Sequence, residues 1–273
     1  MIFYVELCML KIVRVLVVGD VVGDAGRKAV TELYPQIKEE FGIHFAIVNA
    51  ENIAGGSGIT PETLADLLSC GVDVVTGGDH QGKKRNEIGY IMHGDRLIRP
   101  ANYVKDPGVG SMILSPVGHT DIKIGILNLL GNIFMEKLPP AFQTAEAEVE
   151  KLTLFTSIVI VDFHAEATSE KVAMGWFLDG QVSAVVGTHT HVQTADERVL
   201  PEGTAFITDI GMTGGRDGII GRKKENVLLK FMHKAHSKFE VATDDIWLRG
   251  VVIDIDVETG KSVHIERVVR YLE

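Results

Sequence analysis

A chain of 273 residues with 45% hydrophobic and 23% charged residues can bury a substantial core, and neither a disordered nor a membrane-embedded chain has this composition. A net charge of −10 excludes long-range attraction to a nucleic-acid backbone or an anionic bilayer, so neither a long nucleic acid nor a membrane is expected as a partner. Any anionic substrate has to be attracted by local groups.

Residues 1–10 are apolar but contain Glu6, lack a basic start and have no small-residue cleavage site, so they do not form a signal peptide. A cytoplasmic protein is expected. Met9 directly precedes the first strong strand pattern, so residues 1–10 are read as an extension that an upstream start adds, and residues 11–273 as a single domain. No stretch reaches the ~20 apolar residues of a spanning helix. Two cysteines, Cys8 and Cys70, suit neither a disulfide framework nor a zinc site and read as reduced thiols.

Residues 12–18 (IVRVLVV) are a β-branched run of the kind found in buried parallel strands, and they end in Gly19-Asp20. Val30, Leu33, Ile37 and Phe41 then recur at helical spacing, with Pro35 expected to kink the helix and Gly42 to stop it. A second strand, 45–48, runs into Glu51-Asn52. Thr60-Pro61-Glu62 opens the next helix with a cap and a first-turn proline, and strand 72–76 delivers Gly77-Gly78-Asp79-His80. The second half repeats this order: strand 123–128, helix 141–152, strand 158–162 ending in Phe163-His164, helix 169–177, and strand 184–187 followed by His189 and His191. A short strand over 205–209 and a helix over 225–233 come next. The tail differs, because segments 238–242, 247–256 and 262–271 alternate like antiparallel strands around a turn at Glu258-Thr259-Gly260. The fold class is therefore α/β, with a mostly parallel centre and antiparallel C-terminal strands.

In open α/β sheets binding residues gather beyond the carboxyl ends of the strands. Five such ends here carry metal-type donors: Asp20; Glu51 with Asn52; Asp79 with His80; His164; and His189 with His191. Taken singly each is more often a structural group, but the joint pattern argues for chemistry. Carboxylate, imidazole and amide oxygen without thiolate suit Fe, Mn, Zn or Mg, with Fe or Mn favoured. Such a set can serve two divalent metal ions ~3.5–4 Å apart, sharing a carboxylate, an arrangement suited to attack of hydroxide held between them on phosphorus. On an extended segment His189 and His191 would point the same way. Glu166 and Glu170 could orient imidazoles or face a helix N-terminus. The remaining histidines, His44, His93, His119, His233, His236 and His264, read as solvated or structural, and the glycines of 55–58 and 214–215 match no phosphate-loop fingerprint.

The stretches Gly19-Asp20-Val21-Val22-Gly23, Ala50-Glu51-Asn52, Gly78-Asp79-His80, Asp162 through Lys171, Val186 through Thr194, and Thr208 through Gly214 resemble, in collinear order, the calcineurin-like metallophosphoesterases, and within them the YmdB-like branch of bacterial phosphodiesterases. The resemblance implies an αββα sandwich. It also implies that Asp20, Glu51, Asn52 and His191 hold one metal, that Glu51, position 79, His164 and His189 hold the other, and that His80 is the general acid that protonates the leaving oxygen. It further implies hydrolysis of small phosphodiesters, cyclic nucleotides among them, by a homo-oligomer. Two departures from the wider pattern stand out: Val22 occupies a position that is histidine in the superfamily at large, a loss the YmdB-like branch shares, and Asp79 replaces a neutral Asn. The alternatives are a phosphomonoesterase of the same mechanism, or a metal-binding regulatory protein with vestigial activity. Arg99 and Asn102 read as surface residues with a possible second role at the substrate.

Overall fold

The computed structural model of the chain describes residues 10–80, 83, 96–104, 107–234 and 239–273. The expectations for residues 1–9, His93 and His236 lie outside them.

The apolar runs form strands where periodicity predicted them. The first half contains β1 (Ile12–Val18), β2 (Asp20–Val21), β3 (Phe45–Asn49), β4 (Val74–Thr76), β5 (Leu97–Ile98), β6 (Ser111–Leu114) and β7 (Ile124–Leu130). The second half adds β8 (Ile158–His164), β9 (Ala184–Thr188), β10 (Arg198–Val199), β11 (Ala205–Ile207), β12 (Met212–Gly215), β13 (Ile246–Asp256) and β14 (Ser262–Tyr271). The helices among the described residues include α1 (Gly23–Phe41), α2 (Pro61–Ser69), α3 (Ala141–Thr153), α4 (Thr168–Phe177) and α5 (Lys224–His233). α1 runs unbroken through Pro35 and stops at Gly42, whose φ of 62° is one a glycine adopts without strain. α2 begins at Thr60 with a reciprocal capping box to Thr63 and a proline in its first turn.

The strands divide into two sheets where the sequence pattern suggested one centre. One has the order β2-β12-β13-β1-β3-β4-β5, with β14 on β13, and the other β10-β11-β9-β8-β7-β6. In the first, β1, β3, β4 and β5 are parallel, while β13 lies antiparallel between β1 and β12. In the second, β7, β8, β9 and β11 are parallel and antiparallel β6 and β10 close the edges. Of the expected strand over 238–242, residues 239–242 lie among those described and show only an isolated bridge between Arg222 and Val241.

Three apolar layers explain the stacking. Val15, Val17, Phe45, Ile47, Ile126, Ile160, Val186 and Ile253 fill the space between the sheets. Tyr34, Ile37, Leu64 and Leu67 cover the outer face of the first sheet, and Val149, Leu152 and Met174 that of the second. The result is an α/β/β/α sandwich whose parallel strands are buried on both faces, which is why they read as continuous hydrophobic runs. Register places the functional residues at one rim: Val18 pairs with Val48, Asn49 with Thr76, and His164 lies level with Leu130 and Thr188. Among the described residues no helix is long and apolar enough to cross a membrane.

Candidate metal centre

The strand-end residues converge. Asp20 follows β1 after a single glycine, Glu51 and Asn52 follow β3, Asp79 and His80 follow β4, His164 ends β8 and His189 follows β9. Glu51, Asp79, His164 and His189 bring one ligating atom each within 4.8 Å of one another, and Asp20, Glu51 and His191 do the same. Glu51 belongs to both groups. Asn52 joins them by donating its amide N–H to Glu51 Oε1 and lying 3.5 Å from His191 Nε2.

His164 Nε2 is 3.1 Å from Glu51 Oε2, 3.2 Å from Asp79 Oδ1 and 3.0 Å from His189 Nδ1. The other His164 nitrogen, Nδ1, lies 2.9 Å from Thr188 Oγ1, and that hydroxyl donates to Asp162 Oδ1 at 2.7 Å. A threonine hydroxyl has one proton. Since it goes to Asp162, Thr188 accepts from Nδ1–H, and His164 is left with its Nε2 lone pair directed into the cluster. Asp162 also accepts from Thr76 at 2.5 Å and from Asn49 at 3.0 Å. Sequence reading gave Asp162 and Thr188 no role, and the only signal available was a carboxylate and a hydroxyl inside otherwise apolar strands.

His189 and His191 are not on an extended segment, contrary to the sequence reading. Both have positive φ, 94° and 65°, and they serve different groups. Each conformation costs about 1 kcal/mol or more. Asp209, fully buried after β11, supports the bend by accepting from Thr190 N at 3.1 Å and Thr190 Oγ1 at 2.6 Å, and from the buried Lys171 ammonium at 2.7 Å. His189 Nε2 lies 3.1 Å from Glu166 Oε2, and His191 donates from Nδ1 to the Ile220 carbonyl at 3.1 Å, which frees its Nε2. Glu170 takes no part. It accepts from the backbone N–H groups of Asn132 and Ile133. Asn102 is fully buried and pairs with both backbone groups of Leu130, so it is a structural residue of the core instead of a surface one.

The electrostatics are those of a site built for positive charge. Burial pushes the Asp20 carboxyl up to about 7. Burial also opposes ionisation of Glu51 and Asp79, but His164 with His80 in the first case, and His164 with His189 in the second, hold both carboxyls below the usual range. His164 is raised by Glu51 and Asp79 in spite of its burial, the Glu51 hydrogen bond raises His80, and burial lowers His191. Asp20 Oδ1 and Asn52 Oδ1 are buried with no hydrogen-bond partner, although buried polar atoms in native proteins are nearly always paired. A side chain at Gly78 would bring its Cβ within 2.3 Å of Glu51 Oε2 and 2.5 Å of His164 Nε2, so only glycine lets β4 lead into this space. Crowded carboxylates, imidazoles with free lone pairs and two orphaned amide and carboxylate oxygens fit divalent cations of the borderline to hard kind.

A family described as YmdB-like protein matches residues 16–268. The chain is 44% identical over 256 residues, 93% of its length and 96% of the other's, to a 2′,3′-cyclic-nucleotide 2′-phosphodiesterase of Bacillus subtilis. It is 36% identical over 264 residues, 94% of its length and 92% of the other's, to a putative phosphatase/phosphodiesterase of Mycoplasma genitalium. A crystal structure of a novel phosphatase from Mycoplasma pneumoniae superposes with a TM-score of 0.90 at 33% identity, covering 96% of this chain and 95% of that one.

Proposed function

The chain belongs to the YmdB-like protein family, and on that premise we propose that it is a metal-dependent phosphodiesterase acting on cyclic nucleotides, with two divalent ions, Fe or Mn in first place. The observation that carries the reading is the convergence of Asp20, Glu51, Asp79, His164, His189 and His191 into two groups that share Glu51, with Asp20 Oδ1 and Asn52 Oδ1 buried and unpaired among them.

Asp20, Glu51, Asn52 and His191 would hold one cation, and Glu51, Asp79, His164 and His189 the other. Bound there, the cations supply positive charge that acidifies water and neutralises phosphoryl oxygens. The chain's own residues do the rest. Glu51 ties the two groups together, and the Asp162–Thr188 pair keeps His164 in the tautomer that offers Nε2. His80 is the general acid. Its backbone N–H donates to Glu51 Oε2 at 3.1 Å and its Nδ1 lies 3.3 Å from Glu51 Oε1. In the protonated ring Nδ1–H faces Glu51, and Nε2–H is left to protonate the departing ribose oxygen, which returns the ring to its neutral form. A cytoplasmic address and a homo-oligomeric state belong to the same reading, and the exposed Leu228, Leu229 and Met232 of α5 support the second.

The test is metal-dependent hydrolysis of a 2′,3′-cyclic nucleotide by the purified protein and its His80→Ala variant. Loss of about 10²-fold or more in kcat with metal content retained is expected. Near-normal turnover in the variant would remove His80 from its role. Stoichiometric metal with no turnover above free metal would instead favour a regulatory protein.

A further inference from the structure

The cluster opens into a cleft of about 430 Å³, a volume in the range of small-molecule sites. Its lining combines two chemistries: Glu51, Asn52, His80, His189 and His191 belong to the cluster, and Ile219, Ile220, Val227, Phe231 and Phe239 are apolar, with the cations Lys230 and Arg222 in the same lining. Val227, Lys230 and Phe231 stand three and four residues apart on α5, so one helical face contributes all three. Val227 is buried and anchors that face, whereas Phe231 is 73% exposed. The Lys230 ammonium lies 4.6 Å from the centroid of the Phe239 ring.

Nothing in the metal chemistry requires an apolar wall. A cation cluster and its bridging carboxylate need donors, and a diester of small alcohols needs no aromatic surface. Arg222 adds a second observation. Its guanidinium is half-buried, donates from Nη2 to the Gly56 carbonyl, and among the described residues pairs with no carboxylate. A half-buried cation with no carboxylate partner in the same cleft calls for an anion, and the aromatic side chains of the lining call for a flat, partly apolar group. A ligand with both features is a nucleoside phosphate, whose base stacks on aromatic side chains while cations engage its phosphate. Resting on the phosphodiesterase reading above, we propose that the wall of Ile220, Val227, Phe231 and Phe239 is a nucleobase subsite, so the protein selects nucleoside-derived diesters over diesters without a base.

The experiment is equilibrium binding to the manganese-loaded protein of adenosine 3′-monophosphate and of the base-free methyl riboside 3-phosphate. The nucleotide is expected to bind wild type about 5-fold or more tightly than the base-free ligand, the span that stacking on one aromatic ring contributes. Phe231→Ala and Phe239→Ala should each shrink that ratio, and the double variant should bring it to about one while leaving the riboside affinity in place. Both side chains are partly solvent-exposed, and far-ultraviolet circular dichroism checks that the variants fold. Equal affinity for the two ligands in wild type, or a ratio that survives in the double variant, overturns the subsite. Turnover is not part of the measurement. A protein that discriminates by base but hydrolyses no diester would keep the subsite and lose the phosphodiesterase reading, and one that hydrolyses diesters without discrimination would do the reverse.

Discussion

Replacing Thr188 by valine preserves side-chain shape and removes one hydroxyl that does two jobs. Thr188 Oγ1 donates to Asp162 Oδ1 at 2.7 Å and accepts from His164 Nδ1 at 2.9 Å, and all three residues are buried. In the variant the Nδ1–H of His164 has no acceptor and Asp162 Oδ1 loses its donor. A buried polar group left unpaired costs about 1–3 kcal/mol. Asp162 keeps Thr76 and Asn49 on Oδ2, so its share falls at the low end, and about 2–4 kcal/mol is expected for the pair. The effect on metal is separate: His164 becomes free to place its proton on Nε2 or to rotate, and loss of an orienting partner of a ligating histidine typically weakens metal affinity about 10–100-fold. Urea unfolding of the metal-free protein measures the first quantity, and competition against a chelator of known affinity measures the second. Thr188→Ser, which restores the hydroxyl, should recover most of the metal affinity. Metal affinity in Thr188→Val equal to that of wild type would refute the assigned tautomer and the positioning role.

Asp79→Asn removes one negative charge from beside His164 and His189 while keeping an oxygen in place, so KM for a phosphodiester should fall by about tenfold; steady-state kinetics giving an unchanged or higher KM would count against the charge argument. Gly78→Ala places a methyl group in the space between Glu51 and His164, so elemental analysis should find substoichiometric metal in a folded protein, and full loading would show that the cluster is looser than drawn. Burial raises the Asp73 carboxyl, against its hydrogen bond from Ala46 N and the charges of Lys38 and Arg96. A raised folded-state value means that stability is fully present below the unfolded value near 3.9 and is lost as pH rises through the folded one. Asp73→Asn should therefore gain stability relative to wild type between pH 4 and pH 7, and a pH-independent difference in urea midpoints would exclude this cause.

The parts of the molecule readable from the sequence were those in which a physical requirement acts along the chain. β8 is buried throughout and β1 from Val15 onward, so each reads as a largely apolar run, and the polar residues Asp20, just beyond β1, and His164, at the end of β8, mark the rim of the sandwich. The ends of α1 and α2 were readable because Gly42, Thr60 and Pro61 act on their nearest neighbours. What could not be read depends on contacts between distant segments. β2, β5 and β10 have two residues each and exist only because a neighbour's backbone pairs with them, and β12 is Met-Thr-Gly-Gly, a poor strand by composition. Its glycines have a different cause: a side chain at Gly215 would put a Cβ 2.4 Å from the Ala242 carbonyl. The resemblance implied the division into two sheets, but periodicity alone could not show it, because a strand buried against a helix and one buried against another sheet have the same pattern.

The same distinction separates the candidate ligand residues from the residues that orient them. Asp20, Glu51, Asp79 and His164 stand at strand ends, where position along the chain already shows that they share a rim. Asp162, Thr188, Asp209 and Lys171 act across the sheet or between loops, and their partners lie from 2 to 113 residues away. The His189-Thr190-His191 segment shows why this matters. An extended strand would turn both rings toward one point, where they could not divide between the two groups of donors. The observed positive φ values separate them, so that His189 meets Asp79 and His164 while His191 meets Asp20 and Glu51. Two left-handed residues other than glycine persist only where surrounding contacts over-determine them. Here those contacts are Thr190's two bonds to Asp209, the Lys171 ion pair behind that carboxylate, and the bond from the His189 backbone N–H to Asp20 at 3.0 Å. The last of these makes Asp20 both a candidate ligand and a support for the loop that carries candidate ligands of both groups.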